Sequence, residues 1–139
     1  MSKKVRTLLF VSCFVIFFTY GFRFFVLYNR WGVDPLRVLH LLIALFYYGL
    51  GIFVLRMGIQ GSRTERRDYS ILMYASLFTV IYWSFRWGKV VFSPENDPNP
   101  RAHLHLASLY LVMGGLLLAA GWSGRKRLQD PKNQDRILG

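Results

Sequence analysis

Apolar residues fall into four long runs, 5–28, 36–57, 69–92 and 102–122, and the polar residues gather in the gaps between them. As an α-helix, a run of about twenty residues spans roughly 30 Å, the thickness of the hydrocarbon core of a bilayer. The pattern therefore predicts an all-α membrane protein with four transmembrane helices. Short connections favour an up-down-up-down bundle. The second run follows Asp34-Pro35, which reads as a helix start with Asp as N-cap and Pro at the first helical position. Lys3, Lys4 and Arg6 ahead of the first run resemble the basic region of a signal peptide. No small-x-small cleavage site follows Phe18, however, and the apolar character continues past Arg23 to a full membrane thickness.

Sliding the chain by 63 positions, without a gap, lays the first run on the third and the second on the fourth. Asp34-Pro35 then falls on Asp97-Pro98, and His40-Leu41 on His103-Leu104. Ala44 falls on Ala107, Tyr47 on Tyr110, Gly51 on Gly114, Gly58 on Gly121, Gly61 on Gly124, and Phe22-Arg23 on Phe85-Arg86. Leu matching Leu carries little weight between two apolar segments. A His, a Tyr, an Asp-Pro and several Gly matching at one offset imply a duplicated helical hairpin. The repeats are 1–61 and 64–124, together forming the transmembrane domain, followed by a basic tail, 125–139. Within each second helix the His, Ala, Tyr and Gly positions step along one face. A face of small residues is where membrane helices approach each other.

Charge adds an orientation. The chain carries a formal net charge of +11 although 53% of it is hydrophobic. The amino terminus, the connection after the second run and the tail hold twelve of the eighteen Lys and Arg, against four of the seven acids. These three segments share one side in a four-span protein, so both termini are expected in the cytoplasm (N-in/C-in). A bacterial inner membrane suits so compact a chain. Tyr28, Trp31 and Trp87 stand where an outer aromatic belt belongs. No basic-aromatic nucleic-acid motif is present, and the topological bias already accounts for the basic excess, so no nucleic-acid partner is expected.

Candidate chemistry concentrates at one depth. His40 and His103 each lie five residues beyond a Pro, roughly 8 Å along a helix, and Arg23 and Arg86 reach a similar depth from the preceding spans. The four are expected to form a cationic layer near the outer face, with Tyr47 and Tyr110 roughly 10 Å deeper. No Asp or Glu lies in any run, so this layer needs an anionic or electron-rich partner.

Three readings follow. The chain binds an anionic, quinone-like or lipid headgroup ligand through Arg23, His40, Tyr47, Arg86, His103 and Tyr110. Alternatively it binds a b-type haem with His40 and His103 as axial ligands and the two Arg on the propionates. Or it is an accessory subunit of a larger membrane complex, its Arg snorkelling to headgroups and its His packing within the bundle. His105 is a spare imidazole beside the second site. The single cysteine, Cys13, makes neither an intrachain disulfide nor a zinc site. No phosphate-binding loop, nucleophile elbow or paired-carboxylate motif is present, so no reaction is assigned.

Overall fold

The computed structural model describes residues 1–129. Of the basic tail, Lys132 and Arg136 lie outside the described residues. The described chain is helical, with no strand: α1 (Lys3–Asn29), α2 (Arg37–Gln60), α3 (Arg66–Phe92) and α4 (Pro100–Gln129). Single 3-10 turns, Gly61–Arg63 and Pro94–Asn96, precede α3 and α4. The chain divides into two compact units, Met1–Arg63 and Thr64–Gly139. Each contains one antiparallel helical hairpin, α1 with α2 and α3 with α4.

Helices α1, α2 and α4 are long and apolar enough to cross a membrane, which marks an integral membrane protein. Their outward residues agree. Phe14, Phe18, Phe22 and Phe25 on α1 are all more than half exposed, an apolar face suited to lipid rather than water. The third run, expected as a span, gives a helix as long as α1 but less apolar. It opens on Arg66, Arg67 and Asp68, and Arg86 and Lys89 lie near its far end.

Two threonine hydroxyls inside the helices are paired with backbone carbonyls one turn back, as a low-dielectric surrounding favours, while the buried Ser12 and Ser76 hydroxyls have no such partner. The Thr19 hydroxyl donates to the Val15 carbonyl over 2.8 Å, and the Thr79 hydroxyl to Ala75 over 2.9 Å. Ser2 caps α1 by accepting from the Val5 amide, and Glu65 and Asp68 form a reciprocal capping box at the start of α3. At the end of α2, Gly61 takes φ 56°, a conformation that side chains other than Gly resist. There Arg6 reaches across from α1, and its Nε donates to the Gly58 carbonyl over 2.9 Å. One of the helix's terminal carbonyls is thereby paired with a cation.

Small residues set the closeness of each hairpin. A Cβ on Gly51 would sit 3.0 Å from the Phe17 ring and 3.1 Å from Ile16. On Gly114 it would meet Thr79 at 3.0 Å and Val80 at 3.3 Å. On Gly58 it would meet Phe10 at 3.1 Å, and on Gly121 the Met73 backbone nitrogen at 2.9 Å. Faces without a Cβ let the helices approach closely and gain dispersion contacts that lipid tails do not supply.

Above these glycines lies an aromatic pair in each hairpin. Tyr20 stacks on Tyr47 with centroids 4.7 Å apart and planes 16° from parallel. Trp83 stacks on Tyr110 at 4.9 Å and 19°. All four rings are buried.

Candidate histidine–aspartate site

The loop joining the helices of each hairpin folds back onto the first turn of the second helix. Asp34 was expected to cap α2 directly, with Pro35 as its first residue. Instead α2 begins at Arg37, and Asp34-Pro35 lies in the turn before it. The Asp34 carboxylate is otherwise engaged. Its Oδ1 accepts from the Leu36 amide over 2.9 Å, and its Oδ2 lies 2.6 Å from Nδ1 of His40. The second hairpin has the same arrangement. Asp97 Oδ1 accepts from the Asn99 amide over 2.9 Å, and both carboxylate oxygens approach His103 Nδ1, at 2.6 and 2.7 Å. Here α4 begins at Pro100, again beyond the Asp-Pro pair.

Both histidines are therefore the fourth residue of their helices, nearer the helix ends than a start at Pro35 and Pro98 would put them. They are partly exposed, the side chains at 36% and 30%. The expectation of a layer without its own carboxylates does not hold for the histidines. Their counter-charges come from the loops, outside the apolar runs.

The carboxylates are held ionised. For Asp34, the hydrogen bond from His40 and then that from the Leu36 amide keep the carboxyl below the ordinary carboxylate range; nearby positive charge on His40 and Arg37 adds to this. For Asp97, burial pushes upward. The hydrogen bonds from His103 and Asn99, with positive charge on His103 and Arg86, together outweigh it and bring the carboxyl down. An ionised carboxylate only accepts, so Nδ1 of each imidazole is the donor. In the neutral ring, Nε2 then keeps its lone pair. Nε2 makes no hydrogen bond to any described residue.

The remaining candidates distribute as follows. Arg86 acts electrostatically on Asp97, which brings α3 to the second pair. Arg23 lies over the Tyr20 ring, its guanidinium carbon 5.9 Å from the centroid. Arg37 acts electrostatically on Asp34 and lies over Trp31 at 5.8 Å. Tyr47 and Tyr110 belong to the buried stacks, not to the partly exposed imidazoles. His105 is exposed on α4. Among the described residues no group of three or more His, Cys, Asp and Glu is placed to hold a metal ion.

Sequence reasoning missed Asp34 and Asp97 as partners, having read Asp34 only as a helix cap and Asp97 only as its counterpart in the repeat. Their signal was available: an Asp-Pro followed by His at a spacing of six, present twice. It also missed Tyr20 and Trp83, which differ in type while occupying corresponding places against Tyr47 and Tyr110.

No family model, curated protein or solved structure matches this chain.

Proposed function

We propose that the chain is a four-span membrane protein that binds a quinone-like or lipid-headgroup ligand at the outer face. It is built from a duplicated hairpin with both termini in the cytoplasm, in a bacterial inner membrane. The observation that carries the reading is the Asp-held imidazole at the turn of each hairpin, with Nδ1 tied and Nε2 open. A guanidinium's charge also acts on each carboxylate, that of Arg37 in the first hairpin and of Arg86 in the second. Imidazole and guanidinium together suit a ligand with polar oxygens and an apolar body, positioned where headgroup meets hydrocarbon. Support for the duplication comes from the pairs separated by 63: His40 and His103, Tyr47 and Tyr110, Gly51 and Gly114, each with like contacts. In this reading α3 crosses despite its polar ends, because Arg86 and Lys89 lie close enough to its terminus to reach headgroups. The chain works as a binding subunit, alone or within a larger membrane complex.

A second reading draws on the same imidazoles. Histidines that ligate a metal commonly donate their other ring N–H to a carboxylate, which fixes the ring and raises its basicity. A b-type haem ligated by such a carboxylate-held imidazole uses that feature directly, and each hairpin offers one, His40 or His103.

The test is a purification in mild detergent, followed by mass spectrometry of the retained small molecules and by oxidised and reduced visible spectra. Retained quinone or a distinct lipid, lost in the His40→Ala/His103→Ala protein, supports the first reading. A b-type spectrum lost in the same variant replaces it with the second. A colourless protein with only bulk lipid overturns both, leaving a structural role.

A further inference from the structure

When neutral, the two imidazoles are each held in one tautomer. Neutral imidazole offers one donor and one acceptor nitrogen, and the partner of one nitrogen decides the role of the other. Here Nδ1 is 2.6 Å from a carboxylate oxygen in both hairpins. We infer that, in the neutral ring, Asp34 and Asp97 make Nε2 of His40 and His103 hydrogen-bond acceptors, so the ligand that this form of the site takes is one that presents a hydroxyl proton.

The inference rests on the binding reading above and names the ligand chemistry of the same residues. A bare anion offers Nε2 no proton and meets the Asp34 or Asp97 carboxylate on the far side of the ring. A carbonyl oxygen also accepts and does not donate. A hydroxyl fits both demands: it donates to Nε2, and its oxygen still accepts from a guanidinium. Two molecules of the lipid phase share this chemistry, a hydroquinone and a polyol headgroup. The Asp residues act through the imidazoles and are positioning residues. Asp97 approaches Nδ1 with both oxygens and Asp34 with one, and the effect is therefore expected to be stronger at His103.

The first measurement needs no ligand. In full-length protein labelled with 15N-histidine, in detergent and at a pH where the rings are neutral, nitrogen shifts distinguish the two tautomers. His40 and His103 are expected with the proton on Nδ1, with exposed His105 as the internal reference. Asp34→Asn and Asp97→Asn are expected to move the proton to Nε2, as loss of a supporting carboxylate does in a catalytic triad. A proton on Nε2 of His40 and His103 in the unaltered protein overturns the inference without any variant.

The second measurement uses two matched pairs of probes on the neutral protein. One pair is a decyl-chain benzoquinol and its benzoquinone, kept anaerobic. The other is nanodiscs of phosphatidylglycerol and of phosphatidylmethanol, which carry the same charge but differ in hydroxyls. A preference of about tenfold for the hydroxyl member, the scale of one hydrogen bond, supports the inference, and the pair that shows it identifies the source. The preference is expected to fall in the Asp97→Asn protein. Equal binding within both pairs overturns the inference and leaves the binding reading standing. Failure of all four probes to bind overturns the binding reading and, with it, this inference.

Discussion

Gly121 of α4 lies against the backbone of Met73 on α3, so close that a Cβ there would fall 2.9 Å from the Met73 nitrogen and 3.1 Å from the Tyr69 carbonyl oxygen. Backbone cannot swing aside as a side-chain tip does. Gly121→Ala is expected to push the helices of the second hairpin apart and lower stability by about 1–3 kcal/mol. Gly115, whose Cβ would meet nothing within 4 Å, provides the control. Gly115→Ala is expected to be neutral or slightly stabilising, since Ala is the better helix former. Thermal unfolding of both variants in detergent, followed by circular dichroism, checks the contrast.

The aromatic stacks are expected to be the next most sensitive positions. Tyr47→Ala or Tyr110→Ala removes a fully buried ring from a stacked pair. A loss of about 2–4 kcal/mol is expected, toward the lower end of large-to-small core changes, because lipid withholds the hydrophobic share of the cost. Denaturant titration in mixed micelles reads it. Substituting Phe at either position should preserve most of the stability.

Acid should weaken both hairpin turns. The Asp34 and Asp97 carboxyls are held below their ordinary range in the folded protein. A depressed folded value contributes stability that is present above the ordinary carboxylate range, near pH 4, and is lost as pH falls through the folded value. Unfolding temperature measured from pH 7 down to pH 3 should drop at the acid end. The Asp34→Asn/Asp97→Asn protein should show a shallower drop and start from a lower plateau.

Arg6 offers a test of the opposite end of the first hairpin. Its Nε bond to the Gly58 carbonyl joins α1 to the end of α2. Arg6→Ala is expected to cost about 1 kcal/mol, because water at the membrane boundary partly replaces the lost donor. Arg6→Lys should recover the charge near the helix terminus but not the bond direction, and so fall between the two. Hydrogen exchange of the last turn of α2, read by mass spectrometry, should rise in the same order.

The helices themselves were legible in the sequence because a membrane span is a matter of length and apolarity, both visible residue by residue. The packing face of α2 was legible for a similar reason: Gly51 and Gly58 lie on one stripe, and small residues have few other uses there. Helix α3 was less clear, since its apolar run is diluted by charged ends that count against it as a span. The histidines were identified and their partners were not. An Asp just ahead of a helix has a familiar local use as a cap, and that use hid its reach to a ring six residues on. Whether the loop folds back depends on turn geometry around Pro35 and Pro98, which no periodicity reports. The start of α2 was misplaced for the same reason: the carboxylate that was to cap it is committed to His40 and to the Leu36 amide.

The six-residue spacing also bears on how the protein is made. Asp34 and His40, like Asp97 and His103, are only six residues apart, so the two members of each pair leave the ribosome almost together. The imidazole reaches the lipid boundary with its carboxylate already at hand, so its entry incurs little of the penalty of an unpaired polar group. Each turn can set its own histidine during synthesis, before the helix that follows has been completed.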